Sequence, residues 1–231
     1  MAKKKTGPEA EASPAPLTTD APPAPQGFFR KLVSQYGGVA MAATLVLCAR
    51  GSLADHYYVP SESMLPTVKI GDRIIVNKSA FGLRLPATSI YVLEFEDPDR
   101  GDVVVLDSPG DGPVLLKRIV GLPGDELEVR DGRILVNGQQ FPVETKGGQL
   151  YETLDRHTHR VSFDLGGGND WGPTKIPPRE FLVMGDNRGG SRDGRIFGLV
   201  PREKLLGRAV RMYLHDSEWV WQEVDQPPPS R

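Results

Sequence analysis

Short runs of apolar, often β-branched residues, separated by turn-forming residues, dominate the chain after residue 58. Runs of this length and spacing are typical of β-strands rather than long helices. Residues 126–130 alternate apolar and charged positions, and the turn pair Asp131-Gly132 leads into the second run, which predicts a β-hairpin. The pattern therefore predicts a mainly β fold. Its predicted strands cover residues 68–77, 102–106, 114–121, 126–130, 133–137, 181–184 and 205–213.

One uncharged apolar stretch, residues 36–49, interrupts this pattern near the N-terminus and follows an aromatic and basic collar at residues 28–32. It is short for a membrane span, which needs about 20 apolar residues, so the predicted anchor at 32–53 requires Arg50 to snorkel. A cleavable signal peptide and a buried core helix are the alternatives. Because lysines and arginines precede the span, the positive-inside rule predicts a cytoplasmic N-terminus and an exported remainder.

The remaining pattern divides the chain further. Residues 1–31, rich in alanine and proline, are predicted to be a disordered cytoplasmic segment. Residues 56–222 form the predicted exported domain, and within it residues 124–180 form an inserted hairpin and loop region. Residues 138–178 show no clear period, so they are predicted to be irregular. The tail at 223–231 is predicted to be disordered.

Composition narrows the function classes. The chain has 231 residues, 26 glycines, 21 prolines and a net charge of -2, so nothing predicts nucleic-acid binding. A single cysteine excludes an intramolecular disulfide. His157 and His159 lack a clear third metal ligand, and the sequence predicts neither a metal nor a cofactor. It makes no prediction of oligomeric state.

A candidate nucleophile, Ser63, lies in the turn-forming octapeptide Pro60–Thr67 just after the predicted anchor. A serine nucleophile needs a base, but none of the four histidines lies in a stretch that predicts a rigid site. They are interpreted as surface residues: His56, His157, His159 and His215. A Gly-x-Ser-x-Gly elbow is absent, and Pro66 occupies the lysine position of a Ser-x-x-Lys pattern.

Lys117 is the better candidate for the base, because it interrupts an otherwise apolar strand. Such a lysine either snorkels to solvent or is desolvated. A lysine base near neutral pH needs its pKa lowered by roughly 3 units, which costs about 4–5 kcal/mol and which burial can supply. A dense polar loop at 185–195 is either a surface loop with ion pairs or a scaffold for such a site.

Several blocks in order resemble the bacterial type I signal peptidase (leader peptidase) family of Ser/Lys proteases. They are residues 58–67, 71–82, 100–105, 117–125 and 185–195. The resemblance implies a signal-peptidase-like β-rich domain with Ser63 as nucleophile and Lys117 as general base. It implies an oxyanion hole of the Ser61 hydroxyl and the Ser63 N–H. It also implies that Ser191 holds the Lys117 amine, with support from Asp186, Arg188, Asp193 and Arg195.

The same resemblance implies the substrate and location. Preprotein signal peptides with small residues before the cleaved bond would add as a strand near Met64 and Tyr57 or Tyr58. The enzyme would be a single-pass protein of the bacterial cytoplasmic membrane, in contact with lipid, with its catalytic domain on the outer side. Glu62, Phe81 and Gly194 depart from the family pattern.

Three other functions stay open at the sequence level. A specialised Ser/Lys maturation peptidase with a restricted substrate set is one. A self-cleaving regulator is the second, although residues 1–56 contain no DNA-binding segment. A non-enzymatic envelope protein is the third, and the joint presence of Ser63 and Lys117 argues against it.

Overall fold

A computed structural model describes residues 27, 30–31, 33–42, 53–84, 90–109, 112–215 and 217–224. The chain divides into two units, residues 1–44 and 45–231. In the first unit, residues 33–42 are helical and almost all exposed. Among the described residues, no helix combines the length and apolar character needed to cross a bilayer. Much of the predicted anchor, at 43–52, and most of both predicted disordered segments lie outside the described residues.

The second unit is mainly β, as predicted. Its strands are β1 Ala54–Tyr58, β2 Arg73–Asn77, β3 Gly82–Arg84, β4 Tyr91–Glu94, β5 Val103–Leu106, β6 Leu115–Gly121, β7 Glu126–Arg130, β8 Arg133–Val136, β9 Gln139–Gln140, β10 Val143–Lys146, β11 Gln149–Leu154, β12 His157–Val161, β13 Trp171–Lys175, β14 Glu180–Met184, β15 Val200–Pro201, β16 Leu205–His215 and β17 Glu218–Glu223. A one-turn helix, Gly194–Phe197, and a 3₁₀ turn, Arg202–Lys204, complete the described elements.

The largest sheet has eight strands in the order β1-β2-β16-β5-β6-β14-β15, and β17 pairs with β16. Adjacent strands are antiparallel throughout. Strand β5 is buried at all four positions, because both of its faces lie against the core. The sheet therefore supports β6, the strand of Lys117, from both sides.

The predicted hairpin at 126–137 is confirmed. Strands β7 and β8 pair antiparallel with Arg130 opposite Arg133. The two turn residues have positive φ, 46° at Asp131 and 72° at Gly132. Two consecutive positive φ values define the turn whose twist matches that of paired strands.

The prediction that residues 138–178 are irregular is wrong. Strands β10, β11 and β12 form a three-stranded antiparallel sheet, and β13 joins β7, β8 and β9. The inward side of the three-stranded sheet carries Glu152 and His159, both buried, beside Leu154 and Val161. Because charged residues occupy inward positions, the sequence lacks the apolar alternation that identifies strands.

Three apolar clusters form the core, and one of them fixes the turn that carries Ser63. Met64 and Val68, from that turn, are buried against Val103 and Val105 of β5. Apolar side chains near the two ends of a short turn hold it against the sheet, because exposing either side chain to water costs about 1.5–3 kcal/mol. The turn is thus anchored by its own sequence.

Candidate active site

Ser63 lies at the start of a turn spanning residues 63–67, five residues after the end of β1 at Tyr58. The Leu65 N–H donates to the Glu62 carbonyl at 3.0 Å, and the Val68 N–H donates to the Met64 carbonyl at 3.0 Å. Ser63 is 9% exposed. The turn therefore holds the hydroxyl at a fixed position near the surface.

Lys117 of β6 reaches this hydroxyl. Its Nζ lies 2.6 Å from Ser63 Oγ and donates to the Leu116 carbonyl at 2.9 Å. Lys117 is only 2% exposed, so burial lowers its pKa from 10.5 to about 8, although the charges of Asp193 and Asp186 act in the opposite direction. A buried amine with a lowered pKa, in contact with a hydroxyl, can accept that hydroxyl's proton.

The second serine of the octapeptide lies beside the first. Ser61 Oγ is 3.3 Å from Ser63 Oγ. Both serines border a cleft of about 160 Å³. Its lining combines residues 57–61 before the turn with residues 113–117 at the start of β6, and includes Met64. Met64 is 1% exposed and Tyr58 56% exposed, and both line this cleft.

The loop after β14 lies behind the serine–lysine pair. The Asp186 carboxylate accepts from Arg118 at 2.9 and 2.8 Å and from Thr67 Oγ1 at 2.5 Å. Burial alone raises the pKa of Asp186, but Arg118, His159 and Thr67 outweigh it and hold the pKa at about 2. This carboxylate therefore joins the Lys117 strand to the nucleophile turn.

A second carboxylate, Asp193, organises the end of the same loop. It accepts from the Gly185 N–H at 2.9 Å and from Arg195 at 2.8 Å, and it caps the one-turn helix. Arg195 also donates to the carbonyls of Gly167 and Arg188. Burial alone would raise the pKa of Asp193. Arg195 and the Gly185 N–H have the larger, opposite effect, so the pKa of Asp193 is lowered.

Arg188 turns away from the serine and lysine. It forms a buried ion pair with Glu152 of β11 and donates to the Gly132 carbonyl at 2.6 Å. His159 Nε2 lies 3.4 Å from Glu152 and 3.7 Å from Asp186. The interpretation of His159 as a surface residue is wrong, since it is 1% exposed. Burial and Arg118 lower its pKa against the opposing effect of the two carboxylates.

Ser191 is close to the site but is not bonded to the lysine. Its hydroxyl is buried and forms no hydrogen bond of normal geometry among the described residues. It contributes to the lowered pKa of Asp193, which locates it beside that carboxylate. A Cβ on Gly185 would lie 2.3 Å from both Ser191 Oγ and the Ser63 carbonyl, so this position has no room for a side chain.

The other histidines lie away from the pair. His56 is exposed on β1, and His215 contacts Asp72 at 2.9 Å. No group of three or more potential metal ligands occurs among the described residues. The sequence-based reasoning missed Arg118, Thr67, Glu152 and Asn187. Arg118 is adjacent to Lys117 and Asn187 to Asp186, so adjacency was the available signal for these two.

A buried serine–lysine pair beside a cleft in a mainly β domain is the arrangement expected of a Ser/Lys hydrolase. Residues 33–214 match the family model described as signal peptidase, peptidase S26. The chain therefore belongs to the signal peptidase (peptidase S26) family.

Two relatives above 30% identity agree with this assignment. A signal peptidase I from Leptolyngbya laminosa is 33% identical over 94% of this chain and 97% of that protein. A signal peptidase I from Pseudomonas fluorescens is 35% identical over 74% of this chain and 68% of that protein. A crystal structure of a signal peptidase I from Enterococcus faecalis V583 aligns at 28% identity over 50% of this chain and 98% of that one, with a TM-score of 0.38.

Proposed function

We propose that this protein is a membrane-anchored serine endopeptidase that cleaves N-terminal signal peptides from exported preproteins through a Ser/Lys acyl-enzyme mechanism. The observation that carries the proposal is the 2.6 Å separation of Lys117 Nζ and Ser63 Oγ at the border of an apolar cleft. Membership of the signal peptidase family supports the choice of substrate.

In the first half of the reaction, the neutral Lys117 amine takes the Ser63 proton while Ser63 Oγ attacks the scissile carbonyl. The carbonyl electron pair moves to oxygen, where the Ser63 N–H and the Ser61 hydroxyl donate to the developing charge. The Lys117 ammonium then gives its proton to the leaving amine. In the second half, Lys117 activates a water that hydrolyses the acyl-enzyme.

The substrate would lie as an extended segment in the cleft between residues 57–61 and 113–117. Strand β1 is the terminal strand of the described sheet on that side, so its outer edge is available to pair with an added strand. The cleft is small and apolar, so it accepts small side chains near the cleaved bond. Met64 and Tyr58 would contact those side chains.

The proposed location is the bacterial cytoplasmic membrane. Residues 32–53 would form the single anchor, residues 1–31 would be cytoplasmic, and residues 56–222 would form the catalytic domain on the outer side. The support is the charge asymmetry around the only long uncharged apolar stretch in the sequence. Residues 124–180 would be an insertion in the catalytic domain. The disordered tail predicted at 223–231 would begin only after Glu223, which pairs in β17, and Val224, which is buried.

The test compares the full-length parent with Ser63→Ala and Lys117→Ala on a purified preprotein in lipid vesicles. Each variant should lose more than about 10³-fold in rate, because nucleophile and base act as one unit. His56→Ala is the matched control, because His56 is exposed and lies on β1, the strand that precedes Ser63 in the chain. If either site variant cleaved at the parent rate, the Ser/Lys mechanism would be wrong.

The alternative, a specialised maturation peptidase, is separated from this proposal by the range of substrates. A general signal peptidase cleaves unrelated preproteins that share only small residues before the cleaved bond. A panel of such preproteins, measured by kcat/KM, should show values within about tenfold of one another. Cleavage of a single member would favour the specialised enzyme.

A further inference from the structure

Asn187 donates hydrogen bonds to the two main-chain carbonyl groups on either side of the Ser63 Cα, those of Glu62 and Ser63. Its main-chain N–H donates to the Ser63 carbonyl at 3.1 Å, and its side-chain Nδ2 donates to the Glu62 carbonyl at 3.2 Å. Asn187 is 4% exposed. One residue of the loop after β14 therefore holds the main chain on both sides of the proposed nucleophile.

The Glu62 carbonyl matters because of peptide geometry. The Glu62 C=O and the Ser63 N–H belong to one planar unit and point in opposite directions from it. A donor that fixes the carbonyl therefore fixes the direction of the N–H. The Leu65 N–H also donates to this carbonyl, at 3.0 Å, so two donors determine the orientation of the plane.

We propose that the Asn187 side chain is a positioning residue for the oxyanion hole: it orients the Ser63 N–H toward the developing oxyanion. This inference rests on the proposed function, in which that N–H is an oxyanion donor. Oxyanion donors act because they are oriented before the reaction, in a site where charge develops only in the transition state. Asn187 supplies that orientation without touching the substrate.

The surroundings of Asn187 keep it in place. The preceding residue, Asp186, is tied to Arg118 and to Thr67 of the nucleophile turn. Ser162 forms an isolated parallel bridge with Asn187. A Cβ on Gly190 would lie 2.5 Å from Asn187 Nδ2, so the amide occupies space that only a glycine leaves open. The donor is therefore held on rigid elements, as a positioning group requires.

Burying the Asn187 side-chain amide costs free energy that a purely structural role would not require. Asn187 Oδ1 has no hydrogen-bond partner among the described residues. An apolar residue would avoid this unpaired acceptor, and the main-chain N–H of any residue would still bind the Ser63 carbonyl. What the asparagine adds is the donor to the Glu62 carbonyl.

The experiment uses the full-length protein and two matched peptides of signal-peptide sequence, one ending in an aldehyde and the other in a primary alcohol. Ser63 Oγ adds to the aldehyde carbon, its proton passes to Lys117, and the C=O electron pair moves to the oxygen, which then occupies the oxyanion hole. The alcohol has no carbonyl and reports ground-state binding alone. The variants are Asn187→Ala and the isosteric Asn187→Asp, which lacks the donor.

In both variants, kcat and aldehyde affinity should fall together, by between ~10-fold and the ~10³-fold upper limit for losing one oxyanion donor. Alcohol affinity should stay at the parent value in both variants. The midpoint of the pH–rate profile should stay at the parent value in Asn187→Ala, which adds no charge. Asn169→Asp, the same change at an exposed loop position, should leave all four quantities unchanged. Circular dichroism identifies a variant that fails to fold. If Asn187→Asp fails to fold, Asn187→Ala decides the test alone.

Two results would overturn the positioning role: equal weakening of aldehyde and alcohol, or no weakening of either. Failure of the proposed function gives a different result. In that case the parent itself would bind the aldehyde no more tightly than the alcohol, and Ser63→Ala would bind both as the parent does.

Discussion

The lowered pKa of Lys117 makes a prediction about stability as well as activity. The perturbation is Lys117→Met, which replaces the buried amine by an apolar side chain of similar length. Burial lowers the pKa from 10.5 to about 8, a difference of 2.5 units. At 1.36 kcal/mol per pKa unit, the protonated amine costs the folded state roughly 3–4 kcal/mol.

The sign follows from proton binding. Between pH 8 and 10.5 the unfolded state holds more protons on this lysine than the folded state, so the free energy of unfolding rises with pH in that window. Below pH 8 the folded state bears the full free-energy cost of the protonated Lys117 amine. Lys117→Met should therefore raise the free energy of unfolding at pH 7 by about 2–3 kcal/mol, after about 1 kcal/mol is deducted for lost hydrogen bonds. Near pH 10.5 the gain should largely disappear.

The assay is urea unfolding of parent and variant at pH 7 and pH 10, with kcat/KM of the parent measured across the same range. About a tenth of Lys117 is neutral at pH 7, so kcat/KM should rise about tenfold per unit below pH 8 and level off above it. A variant less stable than the parent at pH 7 would refute the reasoning. So would a pH–rate profile that His56→Ala abolishes.

Three further predictions follow from the site. Ser61→Ala should lower kcat by about 10²–10³-fold with little change in KM, and an unchanged kcat would remove Ser61 from the oxyanion hole. Gly185→Ala should cost about 1–3 kcal/mol in thermal unfolding and at least about tenfold in activity, because its Cβ has no room; parent-like values would contradict the clash. Glu152→Leu should cost about 3–5 kcal/mol by leaving Arg188 buried without its partner, whereas Glu144→Gln, at an exposed ion pair, should unfold like the parent.

The part of the fold that the sequence predicted correctly depends on local patterns. The hairpin at 126–137 follows from alternation and an Asp-Gly turn, both visible within 12 residues. The strand around Lys117 follows from a continuous apolar run with one charge in it, which β6 matches with burial at five of its seven positions. Such features need no knowledge of what lies across the sheet.

The missed part depends on partners far apart in the chain. Asn187 and Glu62 are 125 residues apart, and Arg188 and Glu152 are 36 apart. Strands β11 and β12 turn charged side chains inward, where sequence patterns predict apolar ones. Only the folded chain shows that Glu152 lies beside Arg188 and that His159 faces Glu152 and Asp186, so single-residue propensities gave the wrong prediction for 138–178.

Polar groups of β12 explain why the inserted sheet bears on the proposed chemistry. Arg160 of β12 donates to the Pro66 carbonyl at 2.9 Å, and its own carbonyl lies 3.4 Å from Thr67 Oγ1, whose proton goes to the nearer Asp186. His159, one residue earlier, faces Asp186, which holds the other side of Thr67. A wholly apolar interface would pack the insertion against the turn but would not fix the direction of any carbonyl or hydroxyl in it. Directional hydrogen bonds do so, and for a nucleophile that must meet a substrate carbonyl within a few tenths of an ångström, that is the property that matters.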